Sequence, residues 1–295
     1  MAEVAVDSIA RSRRGTLFLV STPIGNLGDL SPRARDTLRS ADLLLAEDTR
    51  HTAQLLGACG IERPAGTLES LHEHNERERV PRVLARLAAG DSVALVSDAG
   101  TPLVSDPGMV LVREALRAAV PVVAVPGPCA SIAALSVSGL PADRFAFEGF
   151  LPAKPALRRD VLQELARETR TLVFYEAPHR LHASLADMAA CLGGDRPCAV
   201  LRELTKKFES AYRGTLAEIA QRAAADADMS RGEIVIVVQG VTGRQAADDE
   251  EAERVLRELV AELPASQAAR LAARITGRAR RQLYERAIAI AARRR

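Results

Sequence analysis

The sequence predicts an α/β protein: a first α/β unit built on a largely parallel sheet, a second α/β unit, then a small all-helical tail. Three observations predict this class. Short apolar runs alternate with helical patterns from Thr16 onward. The runs are nearly continuously apolar, as strands covered on both faces are. Most of them end in loops rich in Gly and Pro, and repeated strand–loop–helix units imply a largely parallel sheet. A chain of 295 residues suits one large domain or two ordinary ones.

The elements follow in order. Residues 1–14 read as a loose leader. Thr16–Ser21 (TLFLVS) is a strand, and Ser31-Pro32 supplies a helix N-cap followed by Pro at the first helical position. Asp42–Ala46 (DLLLA) is a second strand. Asn75 caps a long helix ending near Gly90, with Pro81 an obstacle in its first turns. Ser92–Ser97 and Pro121–Val125 are further strands. The Gly-, Pro- and Phe-rich stretch 139–155 marks a boundary, which gives units over 15–139 and 140–240. Strands of the second unit are expected at Thr171–Tyr175, Cys198–Leu201 and Glu233–Val238. Residues 241–250 read as a linker. Residues 251–295 read as a helical domain, with Pro264-Ala265-Ser266 opening one helix and Gly277 breaking it from the next.

Composition is globular: 47% hydrophobic and 26% charged residues supply a sizeable core and exclude a disordered chain. No signal peptide and no apolar run of about 20 residues is present. The four Cys form no C-x-x-C pair, so neither zinc nor a disulfide framework is expected, and the compartment reads as the reducing cytoplasm. The net charge of +2 taken alone argues against nucleic acid. That average is misleading. Residues 270–295 hold nine Arg against one acid, Glu285, a net +8, and residues 1–269 carry −6. An acidic body thus precedes a strongly basic tail, suited to phosphates. Aromatics are scarce (3%, no Trp), which disfavours stacking of many bases.

Ligands of open parallel sheets bind beyond the carboxyl ends of the strands. Three loops lie at such ends: Ser21–Asn26, Ser97–Gly108 and Val125–Ser131. Their small residues admit close backbone approach. None carries a dinucleotide or P-loop signature. Ala46-Glu47-Asp48-Thr49-Arg50-His51 ends the second strand, and its carboxylates either serve as a base or begin a helix. His72 and His74 lack a third ligand, so no metal is expected. His179 and His182 read as structural or surface residues.

Together these blocks carry a family resemblance. TPIGNLGDLSPRA, ADLLLAEDTRHT, HEHNE, ALVSDAGTPLVSDPG, VPGPCASIAALSVSGLPADRFAFEGFLPAK, TLVFYEAPHRL, RELTKKFE and RGEIVIVVQG stand in this order. Over about 15–240 the chain resembles the ribosomal RNA small subunit methyltransferase I family, part of the tetrapyrrole-methylase-like, class III S-adenosylmethionine methyltransferases. Its tail resembles that family's helix-turn-helix-like domain.

The resemblance implies two α/β domains of the tetrapyrrole methylase type with S-adenosylmethionine in the cleft between them, usually in a homodimer. It implies 2′-O-methylation of cytidine 1402 of 16S rRNA, at the decoding centre of the 30S subunit. Carried over by motif, the cofactor would touch Pro23, Ile24 and Gly25; Asp98, Ala99, Thr101 and Ser105; Pro126, Gly127, Cys129 and Ala130; and Tyr175. Cys129 stands where relatives often carry Ser. The RELTK and RGEIV segments would close the pocket. A ribose hydroxyl is a poor nucleophile and gains from an acceptor: Glu47 is the first candidate and Asp106 the second. RNA phosphates need cations. The candidates are Arg50, Arg144, Lys154, Arg158, Arg159, Lys206 and Lys207 on the body, and Arg278, Arg280 and Arg281 on the tail. A tetrapyrrole methyltransferase shares fold and donor, but typically carries a G-D-P-x-x-F-G-R-type loop and lacks the basic tail. A helix-turn-helix DNA binder without activity explains the tail alone.

Overall fold

The computed structural model describes residues 15–241 and 243–293; the leader read over 1–14 lies outside the described residues. The first sheet holds β1 (Thr16–Val20), β2 (Leu43–Ala46), β3 (Leu68–Ser70), β4 (Ser92–Val96) and β5 (Val122–Val125). Their order is β3-β2-β4-β1-β5, and every pairing is parallel. Alternate residues face opposite sides. Phe18, Val20, Leu44, Ala46, Ala94 and Val96 pack with α1 (Pro32–Ser40) and α2 (Thr49–Ala58). Leu17, Leu43, Leu45, Val93 and Leu95 pack with α3 (Glu76–Ala88) and α4 (Met109–Arg117). Burial on both faces explains why these strands read as unbroken apolar runs.

Local rules hold at the helix ends. Ser31 accepts the Ala34 N–H at 3.1 Å as the N-cap of α1. Pro81 sits inside α3, on its exposed side, where water can satisfy the carbonyl its ring leaves without a donor. The buried Glu76 of α3 accepts the Leu111 N–H at 2.9 Å. It thereby ties the start of α3 to the first turn of α4, just beyond the long loop 97–108.

The second sheet is mixed. It holds β6 (Phe145–Phe150), β7 (Thr171–Glu176), β8 (Pro197–Arg202), β9 (Ser210–Thr215) and β10 (Ile234–Val238), in the order β6-β7-β10-β8-β9. Only β6 and β7 run parallel. One face packs on α6 (Pro155–Glu164), α7 (Leu181–Leu192) and α8 (Leu216–Ala225). The other face, Val173, Ala199, Leu201, Val235 and Val237, packs on Ala134 and Leu135 of α5 (Ala130–Ser138) and on Ile24. Helix α5 follows the last strand of the first sheet yet covers the second. It is the apolar joint between the two halves, and Gly139 ends it in the left-handed region (φ 80°).

The tail is three helices: α9 (Gly243–Glu262), α10 (Ala265–Thr276) and α11 (Arg280–Arg293). Ala252, Leu256, Ala268, Ala269, Ala272, Leu283 and Ala287 form its own small core. The linker expected over 241–250 is corrected: α9 begins at Gly243. Its packed C-terminal half fixes a helical nucleus, and Ala-, Asp- and Glu-containing sequence propagates it backwards at little cost. Gly277 (φ 70°) closes α10, and a three-residue turn leads into α11. No helix among the described residues is long and apolar enough to cross a membrane.

Candidate active site

The three loops at the carboxyl ends of the first sheet are stitched together. Thr22 and Gly100 exchange backbone hydrogen bonds of 2.8 and 3.1 Å. Thr101 Oγ1 lies 3.1 Å from Ser21 Oγ and donates to the Pro128 carbonyl at 3.0 Å. Leu103 (φ 75°) and Ser105 (φ 68°) hold the left-handed region within the middle loop. Such backbone costs about 1–2 kcal/mol per residue, and it concentrates at functional sites.

Across the joint stands Tyr175 of β7. Its ring meets Phe147 and Phe150 edge-on, at centroid distances of 4.8 and 5.6 Å. Its hydroxyl accepts the Ser131 N–H at 3.2 Å, so the second sheet grips the third loop. Burial pushes the Tyr175 phenol up from its usual pKa and keeps it neutral.

Between the sheets lies a cavity of about 420 Å³, the size of a small-molecule site. Ile24, Ala99, Thr101, Ser105, Cys129, Ala130 and Tyr175, all expected at a cofactor, line it. Pro23, Gly25, Asp98, Pro126 and Gly127 do not line it; they build the loops behind it. Leu204 and Gly232–Val235, from the segments expected to close the pocket, line it as well. Phe150 and Glu176–Pro178 line it and were not anticipated: nothing in their local sequence shows which side of a strand end faces a partner sheet. The lining includes three carboxylates, Asp106, Glu176 and Glu233, and no Lys, Arg or His. Glu176 is engaged by Arg180 at 3.3 Å and by the Ser184 hydroxyl. Glu233 is paired with Lys206 at 3.1 Å. Such a wall disfavours a phosphate and suits a ligand carrying positive charge.

Asp106 is the third carboxylate of the wall. Burial, reinforced by the charge of Glu47, pushes its carboxyl up to about 6. Burial and then the charge of Asp98 push Glu47 up as well. The two candidate acceptors lie near enough for the charge of Glu47 to act on Asp106. Asp106 lines the cavity and Glu47 does not. Asp48 is the N-cap of α2, accepting the Arg50 N–H at 2.8 Å. Asp98 accepts the Asp48 N–H at 3.0 Å and meets His51 Nδ1 at 2.9 Å, a contact that raises the His51 pKa.

Two of the expected RNA contacts are corrected. Arg158 is 3% exposed and bound to Asp187 at 2.7 Å; its charge is spent inside the second half, where an unpaired carboxylate would be costly. Lys206 is a clasp. Its ammonium binds Glu203 at 2.9 Å and Glu233 at 3.1 Å. Its stem lies against Gly25 (φ 143°), where a methyl group would overlap it. The stem therefore joins the first loop to the segments across the cavity. Arg159 shares Asp187 at 3.4 Å and Arg50 pairs with Asp48, both from exposed positions. Arg144, Lys154, Lys207, Arg280 and Arg281 are exposed, and Arg278 is half-buried.

Comparison with known proteins assigns the family. The model of Tetrapyrrole (Corrin/Porphyrin) Methylases matches residues 16–220, and that of the RsmI C-terminal HTH domain matches 246–291. A ribosomal RNA small subunit methyltransferase I of Xylella fastidiosa is 56% identical over 92% of this chain and 99% of its own. That of Pseudomonas aeruginosa is 54% identical over 93% and 97%. The chain belongs to the ribosomal RNA small subunit methyltransferase I family. It is therefore a methyltransferase. The Escherichia coli relative is 47% identical over 95% of this chain and 96% of its own. In fold, the enzyme is similar to uroporphyrin-III C-methyltransferase of Thermus thermophilus (TM-score 0.54, 23% identity, 81% of this chain and 98% of that one). A structure of uroporphyrin-III C-methyltransferase from the same organism, complexed with S-adenosyl homocysteine, matches with TM-score 0.50 and 22% identity, over 77% of this chain and 97% of that one.

Proposed function

We propose that this methyltransferase transfers the methyl group of S-adenosylmethionine to the ribose 2′-hydroxyl of cytidine 1402 of 16S rRNA, within the 30S subunit, in the cytoplasm and as a homodimer. The observation that carries this reading is the Asp106 carboxyl in the wall of a cavity shared by both sheets, in a chain whose tail is strongly basic. The residues present fit the cofactor. An apolar, backbone-rich wall with carboxylates and no cation accommodates an adenosine bearing a sulfonium and an ammonium group. The loops around Ile24, Ala99 to Thr101 and Cys129 to Ala130 would hold it, with Tyr175 and Val235 opposite.

When bound, S-adenosylmethionine supplies an electrophilic methyl group for in-line displacement. The protein's part is alignment and proton acceptance. Alignment of the hydroxyl with the methyl group supplies much of the rate. Asp106 accepts the hydroxyl proton, since its pKa of about 6 leaves it ionised yet basic near neutral pH. Glu47 acts through it, its charge keeping that pKa raised. The exposed Arg144, Lys154 and Lys207 and the tail arginines hold phosphates outside the cavity.

Transfer of tritium from labelled S-adenosylmethionine to undermethylated 30S subunits, free 16S rRNA and uroporphyrinogen tests the reading. Label is expected in the 30S sample and none in uroporphyrinogen. An unlabelled 30S sample would overturn it, and label in uroporphyrinogen would move the enzyme to the tetrapyrrole class.

A further inference from the structure

We propose that the notch where α10 and α11 both begin, framed by Ser266, Arg280, Arg281 and Tyr284, is a docking subsite for one unpaired nucleotide of the RNA. It has a volume of about 500 Å³. The inference rests on rRNA being the substrate and adds a base-stacking platform to the phosphate contacts already assigned to the tail.

Tyr284 is the first reason. Of the three tyrosines, Tyr175 is locked between Phe147, Phe150 and Ser131. Tyr212 lies under the Arg222 guanidinium, 4.6 Å from the ring centroid. Tyr284 is 43% exposed and has no ring or hydrogen-bond partner among the described residues. An exposed aromatic beside cations offers a base a face to stack on.

The charges are the second reason. Arg281 is 92% exposed, and its ion pair with Glu285 is a loose 3.5 Å. Arg280 has no ion pair among the described residues. Helix N-termini ordinarily attract acidic side chains, yet neither α10 nor α11 has an acid in its first turn. Positive groups thus converge on an opening where the one anion paired with them among the described residues is Glu285, held loosely by Arg281 at 3.5 Å. An acidic peptide would satisfy the arginines but would make no use of the ring; a nucleotide uses both. Its base covers Tyr284, its phosphate meets Arg280 and Arg281, and the Ser266 hydroxyl reaches a ribose or phosphate oxygen. A single platform of this kind agrees with so low an aromatic content.

The test uses the full-length enzyme carrying Tyr284→Ala, Tyr284→Phe, or Arg280→Ala with Arg281→Ala. Binding to undermethylated 30S subunits is measured across a KCl series. Binding to fluorescein-labelled oligouridylate is followed by fluorescence anisotropy, and for the wild type also by quenching of tyrosine emission, which no Trp obscures. Tyr284→Ala is expected to weaken both by about tenfold, in KM rather than kcat for methyl transfer, with an unchanged melting temperature. Tyr284→Phe is expected to restore binding. The double arginine variant is expected to lower the salt slope by about two. Wild-type affinity in Tyr284→Ala, or equal loss in Tyr284→Phe, overturns the proposal. Competition by oligoglutamate as effective as by oligouridylate also overturns it and makes the notch a peptide site. A wild type that neither binds nor methylates 30S subunits contradicts the substrate, while quenching by oligouridylate still reports on the notch.

Discussion

Replacing Asp106 by Asn should make the protein more stable and the enzyme nearly inactive. In the folded chain the Asp106 carboxyl has a pKa of about 6, against an ordinary value of 3.8. The native state therefore holds this proton more tightly than the unfolded state does. Stability falls as pH rises from about 4 to about 6, and above that window the cost of the buried charge is fully present. A shift of about two units corresponds to about 3 kcal/mol; solvent screening of a partly exposed group reduces this to about 1–2 kcal/mol. Asn keeps the shape but carries no charge. Denaturant unfolding at pH 8 should show Asp106→Asn more stable by about 1–2 kcal/mol, and at pH 4 the difference should vanish. Methyl transfer should fall by about 100-fold or more, the usual scale for removing a general base. An equal stability change at both pH values, or wild-type turnover, would refute the reasoning.

Other predictions concern the neighbours. In Glu47→Gln, the acid limb of the kcat/KM profile should move to lower pH by at most about one unit, with cofactor affinity unchanged; turnover as low as in Asp106→Asn would make Glu47 the base instead. Tyr175→Phe removes the acceptor of the Ser131 N–H and should weaken binding of S-adenosyl homocysteine by about fivefold, from about 1 kcal/mol, measured by calorimetry. Gly25→Ala forces a methyl group into the Lys206 stem at a positive φ and should lower the same affinity; unchanged binding would remove the clasp from the account. Arg158→Ala leaves Asp187 only the longer pair with the exposed Arg159, 3.4 Å, and should cost up to about 3 kcal/mol in denaturant unfolding, below the full figure for an unpaired buried charge. Its salt slope for 30S binding should stay that of wild type.

The first sheet was legible because its strands are buried on both faces, so Leu43–Ala46 and Ser92–Val96 announce themselves by composition. What escaped has physical reasons too. β3 is three residues at a sheet edge, too short for a period. β6 sits in a Gly- and Phe-rich stretch, and its pairing slips between Phe147 and Gly149, so it reads as a boundary. β9 (SAYRGT) is an edge strand made largely of small and polar residues. The opening of α9 is helical because the tail core holds its far end, a tertiary cause invisible in VTGRQAADDE. At the site, motif matching supplied the loops and both acids. The sequence placed Glu47 before Asp106 but could not show which of them faces the cavity, nor that Arg158 and Lys206 spend their charges within the protein. Each of those outcomes depends on what the fold places opposite the residue.

Nucleoside analysis of the labelled product tests the central claim most directly. After transfer of the labelled methyl group to undermethylated 30S subunits, the rRNA is digested to nucleosides and the label is assigned by mass spectrometry. The account predicts a single labelled species, 2′-O-methylcytidine, that disappears with Asp106→Asn. Label on a base carbon or nitrogen, or no label in the rRNA, would contradict it.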